Sequence, residues 1–186
     1  MNTTRSRDGT TIAFDRSGEG PPIILVGGAF TVRSSDAPLA EQLERHFTVF
    51  TYDRRGRGSS EDTAPYAVDR EIEDLEALIV EAGGSATVYG KSSGAALALE
   101  AAARGLPITG LALFEPPFIV DDSRPRPPAD LGSQLSELTS AGRRGDAVEL
   151  FITKAVGLPV EAVAQMRTAP MWPGLEAQCA TPHAGG

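Results

Sequence analysis

The sequence predicts an α/β fold: a mostly parallel sheet led by an N-terminal hairpin and followed by a helical segment. Three observations carry this. Short runs of branched and aromatic residues alternate with helical patterns up to residue 114, the rhythm of parallel strands joined by right-handed helical crossovers. Each run ends on glycine or a polar side chain, as strands do where a sheet opens onto a site. After Glu115 the pattern becomes proline-rich and then purely helical.

Asn2–Arg7 and Thr10–Arg16 alternate in polarity around Asp8-Gly9, a favoured two-residue hairpin turn. Ile23–Val26 is a continuous apolar run suited to a strand buried on both faces, and it ends in Gly27-Gly28-Ala29-Phe30. Asp36 offers an N-cap with Pro38 in the first turn, and Leu39 and Leu43 share a face of a short helix to about Arg45. Phe47–Tyr52 is the next strand, closed by Asp53 and the loop Arg54–Ser60. Val68, Ile72, Leu75, Leu78 and Ile79 keep helical spacing up to the stop at Gly83-Gly84. Ala86–Tyr89 is a strand, and the helix after it runs to about Arg104. Ile108–Phe114 is the last strand, closed by Glu115-Pro116-Pro117. Asp121–Pro128 reads as an extended linker. Amphipathic helices follow through Leu131, Leu135, Leu138, then Val148, Phe151, Ala155, then Val160, Val163, Met166, while Pro170–Gly186 shows no clear period. The division is a core over 1–120 and a linker with a helical tail over 121–186.

Composition narrows the function classes. The 186 residues are 41% hydrophobic and 23% charged, enough for a substantial core in a soluble protein. A net charge of −8 argues against a nucleic-acid partner. Arg54-Arg55-Gly56-Arg57 and Arg143-Arg144 lie among acids and read as solvated loops or ion-pair partners. A single cysteine, Cys179, rules out an internal disulfide, and residues 1–20 hold no apolar leader. A cytoplasmic location with no membrane partner is expected. No residue set suggests a cofactor or metal.

The chemistry concentrates at Gly90-Lys91-Ser92-Ser93-Gly94, a G-x-S-x-G pattern between a strand and a helix. A serine at so tight a turn is forced into a strained conformation with its hydroxyl raised above the sheet edge. The positions two before and two after it admit only very small residues. Such a pentapeptide also arises by chance in ordinary strand–helix turns. The flanking elements, and the arrival of Ala29, Asp53, Ser92 and Glu115 at successive strand ends, distinguish this one. Ser92 is the candidate nucleophile.

The order of elements, with Tyr52-Asp53-Arg54-Arg55-Gly56-Arg57-Gly58-Ser59-Ser60, the Gly90–Gly94 pentapeptide and Glu115-Pro116-Pro117, resembles the α/β-hydrolase superfamily over residues 8–120. The helices after residue 128 resemble the start of that fold's cap. The resemblance implies that Ser92 attacks an acyl carbonyl, with an oxyanion hole formed by the backbone N–H groups of Ala29 and Ser93. Family members often carry His-Gly at the first turn, where this chain has Gly27. They also continue into further strands bearing an acid and a histidine, so the chain reads as a C-terminally truncated relative.

Its histidines are His46 and His183. His46 is expected at the amino-terminal end of the sheet, in a structural role. His183 stands in the terminal tail, and a base must be held within reach of the serine. Glu115 is the acid candidate, beside its plainer reading as a strand exit. Asp53 is expected to anchor its loop by pairing with arginine or capping backbone N–H groups, and Lys91 to be an exposed solubilising side chain. Without further strands, Ile108–Phe114 becomes a sheet edge that a second copy or a partner would cover, with Trp172 and Cys179 placed in the tail where a cover could form.

Three functions compete: a serine hydrolase of a small ester, lactone or amide; a non-catalytic relative that binds through the same pocket; and a small-ligand protein whose glycine turns hold an anion at helix ends.

Overall fold

The computed structural model describes residues 1–121 and 125–179. Residues 122–124 of the expected linker and His183 lie outside them. The chain forms two units, Met1–Pro117 and the segment from Phe118 onward.

The first unit is a six-stranded sheet: β1 (Asn2–Arg5), β2 (Thr11–Ser17), β3 (Pro22–Val26), β4 (Thr48–Tyr52), β5 (Ala86–Lys91) and β6 (Ile108–Phe114). The spatial order is β1-β2-β4-β3-β5-β6. β1 and β2 pair antiparallel, as do β2 and β4. The β4/β3, β3/β5 and β5/β6 pairs are parallel. The expected mostly parallel sheet with an N-terminal hairpin is therefore present. The chain leaves β3 toward β4 on one side and returns to β5 on the other, so the order reverses at β3. The carboxyl ends of β3 and β5 flank the crevice that such a reversal opens.

Alternation along the strands sorts the core into two layers. Ile24, Val26, Phe50, Tyr52 and Val88 face one side, where they pack with Ile72, Leu75, Leu78 and Ile79 of α2 (Val68–Glu81) and Leu97, Ala98 and Ala101 of α3 (Ser93–Ala103). Ile23, Leu25 and Val49 face the other, against Leu39, Ala40 and Leu43 of α1 (Ala37–Leu43). Apolar side chains on both faces explain why these strands read as continuous apolar runs.

The hairpin differs from the expected two-residue turn. Ser6 N–H donates to Thr10 O (2.9 Å), Gly9 N–H donates to Ser6 O (2.9 Å), and Gly9 sits at φ 88°. This is a three-residue loop with glycine in the left-handed position, which the Asp-Gly pair serves equally well. β6 is the sheet edge, as expected, with Leu111, Leu113 and Phe114 exposed.

The arginine loop after β4 is buried rather than solvated. Arg55 is fully enclosed and forms a two-pronged pair with Asp74 (Nε–Oδ2 2.8 Å, Nη2–Oδ1 2.6 Å), while its Nη1 reaches Asp8 at 3.0 Å. Burial opposes its charge, but the two carboxylates outweigh that and hold the guanidinium protonated beyond its ordinary range. Arg54 pairs in the same fork with Glu71. Arg143 stays exposed on Asp146 at 2.7 Å.

The second unit holds α4 (Leu131–Ser140), α5 (Arg144–Phe151), a π-turn over Ile152–Val156, α6 (Val160–Arg167) and α7 (Trp172–Gln178). α7 lies in the stretch where the sequence shows no period. Trp172 is buried there, donates from Nε1 to Glu176 (2.7 Å) and lies under the Arg167 guanidinium, which also pairs with Asp146 at 2.8 Å. Among the described residues, no helix is long and apolar enough to cross a membrane.

Two stability outcomes follow from these contacts. The Tyr52 hydroxyl is buried with no hydrogen-bond partner among the described residues. Tyr52→Phe is expected to leave stability unchanged or raise it by up to about 1 kcal/mol in chemical denaturation, because only a desolvated hydroxyl is lost; a clear loss contradicts the unpaired assignment. Burial alone would raise the Asp8 carboxyl, but hydrogen bonds from Thr10 and Arg55 overcome this and hold it down at about 2. A depressed carboxyl stabilises the fold above its unfolded pKa near 3.8 and loses that contribution as pH falls through about 2. Asp8→Asn is expected to remove about 2 kcal/mol at neutral pH and to flatten the acid limb of the stability curve.

Candidate functional site

β5 delivers Ser92 and α3 begins immediately after it, so Ser92 stands at the N-cap of an eleven-residue helix. Its backbone is at φ 53°, ψ −121°, a region that costs a non-glycine residue on the order of 1–3 kcal/mol. Backbone hydrogen bonds hold it there. Ser92 N–H donates to Phe114 O at the end of β6 (2.9 Å), and Ser92 O accepts from Ala95 N–H (2.9 Å). The hydroxyl makes no capping bond, and the residue is half-buried.

The flanking glycines meet the demand that the pattern implied. A Cβ on Gly90 would lie 2.6 Å from Ala95 Cα and from Gly94 O. One on Gly94 would strike Val26 O and stand 2.6 Å from Gly27 O. Helix α3 therefore packs directly on the backbone that leaves β3. A Cβ on Gly28 would meet both Ser92 Cβ and Lys91 O at 3.2 Å, so the turn after β3 passes against the serine itself.

That turn is held from below. Gly28 O accepts from Arg57 Nη1 (2.6 Å) and from Thr31 Oγ1 (3.0 Å). Ala29 follows, half-buried, and Phe30 adopts φ 58°. At Gly27, the position where relatives often place histidine, a Cβ would collide with Thr31 Oγ1 and come within 3.3 Å of Asp36 Oδ2. The space a larger side chain would need is already filled.

Ser93 is tied into the buried network through its hydroxyl, which accepts from Arg54 Nη1 at 3.0 Å. The same Nη1 reaches Gly27 O at 3.3 Å, while the rest of Arg54 forks onto Glu71 and Tyr66 donates to Glu71 at 2.9 Å. Arg57 differs from its neighbours. It is 8% exposed and makes no ion pair with a carboxylate among the described residues. Burial, together with the adjacent Arg54 charge, pulls its guanidinium down to about 10. It remains a cation at neutral pH.

Asp53 anchors its loop as expected. It is fully buried, accepts from Arg33 N–H (2.7 Å) and Ser59 N–H (2.9 Å), and pairs with the Arg33 guanidinium. Lys91 departs from the exposed role expected of it: its ammonium turns to Asp36, 3.4 Å away and buried. Asp36 precedes α1 but makes no capping bond; its carboxylate pairs with Lys91.

Glu115 follows β6 beside the elbow, exposed and at φ 48°. His46 is exposed at the opposite end of the sheet, just before β4, where its N–H bonds Leu43 O at 2.9 Å. The structure thus brings Ser92, Ala29 and Ser93 into one corner, with Glu115 at its margin and His46 apart. The supporting roles of Arg57, Thr31, Arg54, Glu71 and Asp36 went unread in the sequence. One signal was present: Glu71 and Asp74 occupy the inward stripe of α2, among Ile72, Leu75 and Leu78. Acids on a buried face require buried cations.

Comparison with known proteins agrees with this geometry. The family model for the alpha/beta hydrolase family matches residues 23–184. A solved alpha/beta hydrolase from Sphaerobacter thermophilus is 63% identical, with a TM-score of 0.90 over 96% of this chain and 69% of that one. An N-formylmaleamate deformylase from Pseudomonas putida is 32% identical over 140 residues, covering 72% of this chain and 52% of its own length. A solved esterase from Exiguobacterium antarcticum, at 21% identity and a TM-score of 0.69 over 98% of this chain and 69% of that one, shares the fold. The chain spans about half the length or less of the curated relatives it matches. With a family model covering most of its residues, this chain belongs to the alpha/beta hydrolase family.

Proposed function

We propose that the chain carries the acyl-transfer half of a serine hydrolase acting on a small ester, lactone or amide, with Ser92 as nucleophile and the N–H groups of Ala29 and Ser93 as oxyanion hole. The supporting observation is the strained Ser92, its hydroxyl uncommitted to capping, pressed against the backbone of the β3 turn. Ser92 Oγ bonds to the substrate's carbonyl carbon while its proton passes to a base. The carbonyl oxygen takes up the negative charge and is received by the two amides. Collapse expels the alcohol or amine, which takes a proton, and water then releases the acid from the acyl-enzyme. The positive end of α3 favours the developing anion. The deformylase relative supports an amide as one substrate class, and the esterase fold neighbour is compatible with an ester. Glu115, exposed just after the β6 residue that holds Ser92, is the candidate acid.

A second reading, a binding module that retains the corner without turnover, is favoured by one observation: the described histidine, His46, lies across the sheet from Ser92.

A fluorophosphonate probe separates the two. Covalent labelling of the folded chain that disappears in Ser92→Ala supports the hydrolase; a folded chain that never labels supports the module. Gly28→Ala places a methyl group 3.2 Å from Ser92 Cβ. It is expected to slow labelling about tenfold or more, by displacing the turn that carries an oxyanion donor. Labelling at the wild-type rate would show that the turn does not serve the reaction.

A further inference from the structure

We propose that Arg57 is the positioning residue of the oxyanion hole, aiming the Ala29 N–H by gripping the other end of the same peptide group. The inference rests on the reading of Ala29 as an oxyanion donor.

A trans peptide points its C=O and its N–H in opposite directions. The Gly28–Ala29 bond is trans. Its carbonyl is fixed by Arg57 Nη1 at 2.6 Å and by Thr31 Oγ1 at 3.0 Å. The amide hydrogen of Ala29 is therefore directed away from Arg57. Gly27 and Gly28 are backbone positions with little intrinsic resistance to rotation, so without these two donors the peptide plane would be free to swing. A peptide flip would turn the donor into an acceptor facing a developing negative charge.

The charge of Arg57 has a second effect. Arg54 is neutralised by Glu71 and Arg55 by Asp74 and Asp8. Arg57 is buried, charged and unpaired by any carboxylate among the described residues. The Glu71 carboxylate favours its charge from nearby, but its hydrogen bond goes to the Gly28 carbonyl. A charge-assisted bond to a carbonyl polarises the peptide and strengthens its N–H as a donor. A guanidinium kept for structure alone would be expected to sit on a carboxylate, as its two neighbours do.

The test uses the full chain with Arg57→Met, Arg57→Lys and Thr31→Val. Two quantities are read: the ¹H–¹⁵N amide resonance of Ala29, and the saturation kinetics of Ser92 capture by a fluorophosphonate. Arg57→Met is expected to move the Ala29 amide proton upfield. It should also lower the limiting capture rate about tenfold or more while leaving the probe's half-saturation concentration unchanged. Arg57→Lys should recover part of both effects, and Thr31→Val should show a smaller change in the same direction. A folded Arg57→Met protein with an unmoved Ala29 resonance, or with the wild-type limiting rate, overturns the proposal. If Arg57→Met does not fold, Arg57→Lys and Thr31→Val decide by the same two readings. If the wild-type chain is never captured, the nucleophile assignment fails, and the Ala29 resonance alone still decides whether Arg57 sets that peptide.

Discussion

Helix α3 meets the end of β3 at a separation that only glycine permits, and the rest of the site is built around that contact. Gly94 lies on the carbonyls of Val26 and Gly27, and Gly90 lies under Ala95. Any side chain at either position would push the helix off the sheet. Closeness here forces the turn at Ser92 to be sharp, and the sharp turn forces its positive φ. The strain is offset elsewhere, by the packing of Leu97, Ala98 and Ala101 into the core and by the bond from Ser92 N–H to the end of β6.

The underside of the site is electrostatic rather than apolar. Three arginines leave β4 within four residues, and each is directed inward to a different anchor. Arg55 fastens the hairpin turn and α2 through Asp8 and Asp74. Arg54 fastens α2 to the elbow through Glu71 and Ser93. Arg57 takes a carbonyl in place of a carboxylate. Burying such charges is costly unless every one is matched, and the loss of a single partner leaves a charge stranded. The network thus makes the loop after β4 intolerant of change and fixes the β3 turn relative to Ser92.

Among the described residues β6 pairs with β5 alone, and Phe114 is 50% exposed although its carbonyl holds Ser92. The corner is therefore coupled to an edge. Anything that orders or frays the last residues of β6 acts on the elbow through the Leu113 and Phe114 pairings with β5 and the bond to Ser92.

Much of this was legible in residue order. Apolar runs of strand length, separated by helical spacing, established the α/β alternation because periodicity is a local property. The G-x-S-x-G spacing located the elbow, and Asp53 read correctly as a loop anchor, because both follow from chain geometry within a few residues. The arginine loop was ambiguous because a charge does not state its own surroundings. Its acids on α2 stand 17 and 19 residues downstream, and only the packing of α2 on the sheet brings them to Arg54 and Arg55. Lys91 looked exposed for the same reason: Asp36 comes from another strand–helix connection. The hairpin turn type and α7 escaped because Asp-Gly serves more than one loop length and because seven residues hold too few turns to show a period. The sequence alone thus determined the strand–helix alternation of the first unit and the sharp turn at Ser92, since both are set by near neighbours along the chain. Tertiary structure alone decided which charges are buried and which carbonyls they hold, since those pairings depend on distances that exist only once the sheet has closed.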